Sequence, residues 1–513
     1  MAREIISSDF ELKTRLTMAA ERENSNQFKN FKNNSKSVEE LRRRRAELSE
    51  EIRKVKKEDY LQERRNINIA DESSLQEQNP QVTVNTSMEQ IFIDINSGDI
   101  NKELTAARAV RCTLSEPMDP HLDISIDANI VPKLVEFLHR TANPDLQFEA
   151  ARALSNITSG TLEQTKAIVS AGAVPGLISL LGSPHPAIIE QAVRALSNIT
   201  QDCYILRDCT IEARIIWGLI NLVRSNLPTS CLEHITRTFC NLCKIENHSY
   251  DVLDIKQMIP SLSYLINNAE EKVLSNACLA LLYLTDGPDE VIQIVVNAFG
   301  VVTRLIELLN SSEEPVIIPI LGIFGNIAKG SYALIDSILA NGCCPLLPNL
   351  LKHSDQIVVK QAAWTVSNIA ARNSLQIKAL ISNQVIEPLL DILAEGHSEC
   401  QKEAAEAVAN ITLVGSDEQI ALMYQLGAIP SMCALLEAQD EETISLMLDA
   451  IANILATADR LNELERVSLN VKECGGLARM ERLKYHDNVE IQYDSLVIIE
   501  EFFTEEDDNM ESS

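Results

Sequence analysis

Asparagines recur at a nearly constant interval along this 513-residue chain. They stand in the motifs SNIT, SNIT, CNLC, GNIA, SNIA, ANIT and ANIL as Asn156, Asn198, Asn241, Asn326, Asn368, Asn410 and Asn453, and Tyr283 fills the one missing position. The steps between them are 42 or 43 residues. An asparagine amide can donate to a peptide carbonyl and accept from a peptide N–H. A column of such amides can therefore hold the main chain of an extended peptide without reading its sequence.

A long helix is predicted to carry each asparagine. In the segment PAIIEQAVRALSNIT (186–200) the apolar residues fall within roughly 140° of a helical wheel. Gln191, Arg194 and Asn198 fall on the opposite, polar side. The alternative is that each asparagine caps or braces a neighbouring helix. Seven asparagines on the polar side of the pattern favour a ligand-binding role.

Each repeat also carries a turn and a second apolar helix, as in AGAVPGLISLL (171–181) and LGAIPSMCALL (426–436). Glycine ends one helix, and proline stands near the start of the next, where its missing N–H costs least. Stacking of such units predicts an all-α chain, a right-handed α-solenoid of about ten repeats with a concave groove. The asparagines would then be spaced by roughly 10 Å, or about three residues of an extended peptide.

Charge is distributed unevenly. Residues 1–67 carry 17 Lys/Arg against 13 Asp/Glu, whereas the other 446 carry 28 against 61, so the whole chain has a net charge of −29. A basic arm on an acidic body predicts a cationic partner for the body and argues against nucleic-acid binding. No membrane-spanning run and no N-terminal signal segment are recognised, so we expect a soluble intracellular protein.

Catalytic and metal-binding patterns are missing from the sequence. It holds no phosphate-cradling glycine loop, nucleophile elbow or HExxH motif. One CxxC, from Cys240 to Cys243, has no second pair at zinc-ribbon spacing, so core packing is the favoured interpretation. We therefore expect no enzyme activity, no cofactor and no metal site.

The period, the xNI motif and the Ala-Val-Pro turn together resemble the armadillo repeats of the importin-α family of nuclear import adaptors. QFEAARALSNITSGTLEQTKAIVSAGAVP (147–175), YLTDGPDE (283–290), ECGGL (473–477) and EEFFTEEDDN (500–509) are similar to segments of that family, and the likeness covers nearly the whole chain. SVEELRRRRAELSEEIRKVKKEDYLQERRNI (37–67) resembles its importin-β-binding segment. Its cationic residues are Arg42, Arg43, Arg44, Arg45, Arg53, Lys54, Lys56 and Lys57.

The resemblance implies an organisation and a set of partners. The arm would span residues 1–67, a linker 68–87, the armadillo solenoid 88–503 and an acidic tail 504–513. The expected partners are importin-β, cargo proteins with basic localisation signals, and the family's re-export receptor with Ran-GTP. Shuttling between cytoplasm and nucleus is the expected localisation.

Two signal-binding sites are implied by the resemblance, a major site over about 152–244 and a minor site over about 322–410. In the family's major site a ligand lysine is held by a helix-end carbonyl, a hydroxyl and a carboxylate, and the matching positions are Gly160, Thr165 and Asp202. The further expected residues of the major site are Arg152, Asn156, Gln191, Arg194, Asn198, Arg237 and Asn241. Those of the minor site are Asn326, Trp364, Asn368, Glu406 and Asn410.

This sequence departs from the family at the cation slots. Four residues before each asparagine the family usually has Trp, whose indole holds the stem and the charge of a ligand Lys or Arg. Here the three major-site positions are Arg152, Arg194 and Arg237, and only Trp364 is retained further along. We therefore expect cargo to depend more on the minor site, where Glu406 can pair with a ligand cation. The other tryptophan, Trp217, is predicted to be core.

The arm departs as well. The family's autoinhibitory Lys-Arg-Arg-Asn stretch reads Glu63, Arg64, Arg65, Asn66 here. A glutamate does not fit a pocket for an ammonium beside Asp202, so weak autoinhibition is expected. An armadillo scaffold that sequesters a restricted set of partners is the alternative to a general import adaptor.

Replacing the three arginines by tryptophan should raise affinity for a Lys-rich signal peptide. Each lost cation–π slot costs about 0.5–2 kcal/mol, and a like charge roughly 6 Å away adds about 0.7 kcal/mol in water. After allowance for the acidic body, the three changes total roughly 2–4 kcal/mol, so titration of the R152W/R194W/R237W variant should show a gain of about 30-fold to several hundredfold. An unchanged affinity would contradict this interpretation of the arginines.

Overall fold

The computed structural model describes residues 87–113, 130–201, 203–224, 227–244 and 251–504. Within them every regular element is helical. In chain order these are α1 (Met88–Ile95), α2 (Ile100–Thr113), α3 (Ile130–Leu138), α4 (Pro144–Thr158), α5 (Leu162–Ser170), α6 (Ala173–Leu180), α7 (Pro186–Gln201), α8 (Tyr204–Glu212), α9 (Ile215–Val223), α10 (Thr229–Leu242), α11 (Val252–Leu265), α12 (Glu271–Thr285), α13 (Asp289–Val296) and α14 (Val301–Leu308). They continue as α15 (Glu314–Lys329), α16 (Tyr332–Ala340), a 3₁₀ turn (Cys344–Leu346), α17 (Leu347–Leu351), α18 (Gln356–Ala370), α19 (Ser374–Ser382), α20 (Ile386–Glu395), α21 (Ser398–Val414), α22 (Asp417–Gln425), α23 (Ala428–Ala434), a 3₁₀ turn (Leu435–Glu437), α24 (Glu441–Arg460), α25 (Leu464–Glu473), α26 (Gly476–Leu483) and α27 (Val489–Phe502).

Contacts between the helices divide the chain into two compact units. The described part of the larger unit comprises residues 87–392 and 396–407, and that of the smaller unit comprises residues 393–395 and 408–504.

A row of long helices forms the core of the larger unit. α4, α7, α10, α12, α15 and α18 pack in chain order, each directly against the next. Their apolar stripes meet in a core that includes the fully buried Leu154, Leu196, Phe239 and Phe324. The prediction of a long helix over 186–200 is confirmed by α7.

Local sequence explains where the helices begin and end. Gly172 precedes α6 with a φ of 81°, a left-handed conformation that costs a residue with a Cβ more than it costs glycine. Pro186 is the first residue of α7, where its missing N–H leaves no hydrogen bond unmade. Thr161 and Gln164 form a reciprocal capping box at the start of α5.

The smaller unit is organised around α24. This helix packs against α22, α23, α25 and α27 and buries Ile451 and Leu455. Two ion-pair clusters lie at the surface of the smaller unit. Arg460 donates to Asp417 at 2.6 Å, and Glu437 pairs with Arg479 and Arg482 at 3.0 and 2.5 Å.

The prediction that Trp217 is a core residue is wrong, because its side chain is 51% exposed. The buried residues of α9 are Ile215, Ile216, Leu219, Leu222 and Val223, which share one face of the helix. Trp217 points away from that face, about 100° beyond Ile216. Asn221, the polar residue of α9, lies one turn later on the same exposed face and is the signal in the sequence for this orientation.

Cys240 and Cys243 are both buried and unbridged, in agreement with core packing. Burial raises the pKa of Cys240 to about 11. Across the described part of the chain, no single helix is long and apolar enough to cross a membrane, although three sharply bent helix pairs have the length and composition.

Candidate peptide-binding groove

The asparagines lie in the seams between neighbouring long helices rather than on an open polar face. Asn156 and Asn198 are partly exposed. Asn241, Asn326 and Asn368 are 3%, 6% and 1% exposed. The seven asparagines were expected to form an exposed column, here called the ladder. This expectation is therefore met only near the N-terminal end of the ladder. Close side-by-side packing of the long helices covers the rest.

Three of the asparagines brace the preceding long helix. The side-chain nitrogen of Asn156 donates to the Arg111 carbonyl at 3.5 Å, and that of Asn241 donates to the Ser197 carbonyl at 3.2 Å. Asn198 donates to the Ser159 hydroxyl at 3.1 Å and also faces Thr158. An amide has two N–H groups and an oxygen, so one bracing bond leaves capacity for a ligand. Bracing and peptide binding are compatible roles for these residues.

Asn368 differs from these three. Neither atom of its side-chain amide has a hydrogen-bond partner among the described residues, although the residue is 99% buried. Gln361, two helical turns earlier on the same face of α18, is fully buried and has both amide atoms in the same condition. Buried polar groups without partners are rare because each costs about 1–3 kcal/mol. The face of α18 thus holds unsatisfied hydrogen-bonding capacity.

The same face carries Trp364, which is 5% exposed. Its indole lies directly on α15, where a Cβ added to Gly325 would stand 1.9 Å from the ring. The Lys329 ammonium lies 4.6 Å from the centroid of the ring, a cation–π contact. A glycine at position 325 is therefore required for the indole to lie where it does.

The three arginines of the expected major site have different surroundings. Arg194 is exposed on α7. The Arg152 guanidinium lies 5.9 Å from the Phe148 ring centroid. Arg237 makes a 2.7 Å hydrogen bond from its Nη2 to His234 Nδ1. All three keep a positive charge on the polar side of α4, α7 and α10.

Burial and the charges of Arg237 and Arg194 lower the pKa of His234 to about 3. The imidazole is therefore neutral at physiological pH. Neutral imidazole has one acceptor nitrogen, and here it is Nδ1, which accepts from Arg237. This arrangement fixes the direction of the Arg237 side chain.

The expected lysine pocket is described only in part. Gly160 is exposed just beyond α4, and its N–H donates to the Ile157 carbonyl at 3.0 Å. Thr165 is 2% exposed, and its hydroxyl donates to the Thr161 carbonyl at 3.2 Å. Asp202 lies outside the described residues.

The remaining expected site residues occupy several places. Gln191 is partly buried on α7, and its Oε1 has no hydrogen-bond partner in the described part of the chain. Glu406 of α21 is 5% exposed, within the larger unit. Asn410 belongs to the smaller unit and is 3% exposed. The cationic residues of the arm, from Arg42 to Lys57, lie outside the described residues.

Sequence reasoning missed several groove residues, although a signal for them exists. The position seven before an asparagine lies two turns back on the same helix face, and before Asn156, Asn241 and Asn368 it holds Glu149, His234 and Gln361. Glu149 is tied to Arg111 at 2.7 Å and to Arg108 at 3.1 Å. Its carboxylate is thus engaged with α2.

Comparison with known proteins bears on the identity of the chain. The family model described as the importin beta binding domain matches residues 27–108. The model described as the armadillo/beta-catenin-like repeat matches residues 119–159, 161–201, 331–371, 373–413 and 416–456, and that of the atypical Arm repeat matches 465–513.

Whole-chain relatives agree. Importin subunit alpha-3 of Arabidopsis thaliana is 37% identical over 484 residues, which cover 92% of this chain and 91% of that protein. Importin subunit alpha-3 of Caenorhabditis elegans is 39% identical over 486 residues, with 94% of both chains covered.

The chain belongs to the importin-α family. Among solved structures, the crystal structure of an engineered protein is similar with a TM-score of 0.71 and 29% identity, covering 80% of this chain and 98% of the other. The predicted α-solenoid of armadillo repeats is confirmed. Members of the importin-α family are non-enzymatic nuclear import adaptors, which also confirms the expectation that this chain is not an enzyme.

The half-buried His234 should make stability depend on pH. Its pKa in the folded protein, about 3, lies below the ordinary value of 6.5, so the unfolded chain takes up the proton first as pH falls. This contribution to stability is full above about pH 6.5 and is lost as pH falls toward 3. Between pH 7 and pH 5 the loss is roughly 2 kcal/mol.

The His234→Asn variant keeps a hydrogen-bond acceptor for Arg237 but does not titrate. Thermal unfolding at pH 7 and pH 5 should therefore show a smaller fall in midpoint for this variant than for the wild type. His139→Asn, a change at an exposed histidine, serves as the control. Equal falls for the wild type and His234→Asn would contradict the assignment.

Proposed function

We propose that this protein is a nuclear import adaptor that binds basic localisation signals mainly at its minor site. In this proposal the signal binds over residues 322–410, the major site over 152–244 binds basic signals weakly, and residues 1–67 bind importin-β. Family membership and the match of the importin beta binding domain to residues 27–108 support the adaptor role.

The observation that carries the preference for the minor site is the unsatisfied amide of Asn368 beside Trp364. A peptide main chain that displaced the side chains covering α18 would offer both the carbonyl and the N–H that this amide lacks. The indole one turn away can hold the stem and the charge of a ligand Lys or Arg. Main-chain and side-chain recognition are thus available on one helix face.

The major site offers less to a cationic peptide. Its three amides already donate to the preceding helix, and positive charges stand at Arg152, Arg194 and Arg237, where indoles would be needed. Three arginines close to the ladder repel a ligand Lys over distances shorter than the Debye length of roughly 8 Å.

Further elements of the proposal follow from family membership. The segments are an importin-β-binding arm (1–67), a linker (68–87), the armadillo solenoid (88–503) and an acidic tail (504–513). Release of cargo and return to the cytoplasm would use the family's re-export receptor with Ran-GTP, so the protein would shuttle between cytoplasm and nucleus.

A scaffold that sequesters a restricted set of partners is the second candidate, and the three arginines favour it. Pull-down with importin-β separates the two. The adaptor should bind importin-β through residues 1–67, and Ran-GTP should release it together with bound cargo. Failure to bind importin-β would favour the scaffold.

Substitutions at the two sites test which of them contributes more to peptide affinity. Trp364→Ala should lower affinity for a basic signal peptide by roughly 10-fold, since it removes a cation–π contact and the apolar wall of the slot. Asp202→Ala should lower it by less than about threefold, because the major site contributes little. Fluorescence anisotropy with a labelled Lys/Arg-rich peptide measures both.

The matched control is Trp217→Ala, at the exposed one of the two tryptophans, and it should leave peptide affinity unchanged. Trp364→Phe keeps an aromatic face and should lose less than Trp364→Ala, which guards against a general loss of packing. The proposal is wrong if Trp364→Ala has no effect while Asp202→Ala abolishes binding.

A further inference from the structure

Lys329 lies against the indole of Trp364, the one tryptophan retained at a cation-slot position. A residue of the chain itself therefore fills the place expected for a ligand cation. It is the last residue of α15 and stands three residues after Asn326. Its ammonium is 4.6 Å from the Trp364 ring centroid, within the range of a cation–π interaction. A ligand Lys would need the same position over the same ring.

The main chain at Lys329 is held in place. The Arg372 guanidinium donates to the Lys329 carbonyl across the seam between α15 and the end of α18. Gly325, one turn earlier on α15, lets the indole lie against that helix. The Lys329 side chain therefore projects from a main chain that is held in place directly beside the ring.

A second repeat shows a related contact. Lys244 stands three residues after Asn241, as Lys329 does after Asn326. The Arg207 guanidinium donates to the Lys244 carbonyl, and the Lys244 ammonium lies 5.9 Å from the ring centroid of Tyr283 on the next long helix. The two repeats share a lysine three residues after the asparagine that lies over a ring of the next long helix, although Arg207 precedes its lysine in the chain and Arg372 follows its own.

We propose that Lys329 is an internal occupant of the Trp364 slot and determines how strongly the minor site binds a cation. The inference rests on the proposed function, because it assumes that a basic peptide uses this slot. A ligand Lys or Arg must displace the Lys329 ammonium, so the cation–π contact that it gains is offset in part by the one that Lys329 loses. The displaced ammonium stays near the groove, where it repels a cationic peptide and attracts a carboxylate beside the ligand cation.

Indole accessibility tests the internal contact without any ligand. In a Trp217→Phe background Trp364 is the only tryptophan, so acrylamide quenching of fluorescence reports on its exposure. Lys329→Ala should raise the quenching constant at least about twofold, because the ammonium and its stem no longer cover the ring. Lys244→Ala, at the matched position of another repeat, should leave it unchanged. No rise for Lys329→Ala overturns the inference.

Peptide affinity tests the consequence in the full-length chain. Lys329→Ala should raise affinity for a labelled Lys/Arg-rich peptide roughly 5- to 30-fold, and Lys329→Arg should not. In a Trp364→Ala background most of that gain should disappear, whereas removal of a merely repulsive charge would give the same gain in both backgrounds. The same gain in both backgrounds therefore overturns the inference.

Different results would overturn the role of Lys329 and the proposed function. Peptide binding that depends on Trp364 but does not change in Lys329→Ala overturns the internal occupant and leaves the proposed function intact. Absence of basic-peptide binding in the wild type and in every variant overturns the proposed function, and the role of Lys329 in affinity with it.

Discussion

Direct packing of each long helix against the next is the constraint on which the groove depends. Because α4, α7, α10, α12, α15 and α18 lie side by side, polar side chains near their C-terminal ends meet a neighbouring helix before they meet solvent. The seam is close enough for Asn241 to reach the Ser197 carbonyl and for Thr365 to reach the Leu321 carbonyl at 3.0 Å. The ladder is thus part of the interface between repeats, and any peptide contact uses what that interface leaves unsatisfied.

Charged groups close to the groove affect a bound side chain more strongly than the net charge of the whole chain does. The chain has a net charge of −29, yet the polar faces of α4, α7 and α10 carry Arg152, Arg194 and Arg237. At physiological ionic strength the Debye length of roughly 8 Å makes nearby groups decisive for a bound side chain. The acidic body can attract a basic peptide from a distance, while the local arginines decide whether it remains at the major site.

The sequence predicts the periodic part of this structure well and the seams poorly. A repeat of 42 or 43 residues and one apolar stripe were enough to predict the long helix over 186–200, which the structure has as α7. The same wheel placed Asn198 on a polar side but could not show that neighbouring helices bury Asn241 and Asn368, since a wheel describes one helix at a time. Trp217 was predicted wrongly because a single polar residue, Asn221, marks the exposed face of α9, which is a weak signal in an otherwise apolar helix.

Lys329 was missed for a different reason. Its partner, Trp364, lies 35 residues away on another helix, and the contact depends on a glycine at position 325 that has no polar pattern of its own. A sequence pattern marks Trp364 as a slot for a cation, but it does not show that a lysine of the same chain lies over the ring.

An internal cation has a structural advantage for the free protein. A bare indole face in a polar groove is apolar surface exposed to water, and covering it with the Lys329 stem and ammonium removes that cost while keeping the charge hydrated at its tip. A ligand that takes the slot must replace this contact rather than create one, so the slot contributes less to affinity than an uncovered indole would. The amide of Asn368 has no internal partner of this kind. Main-chain hydrogen bonding at Asn368 would therefore satisfy an amide that the described part of the fold leaves unpaired, whereas side-chain recognition at Trp364 is the part of the minor site that Lys329 weakens.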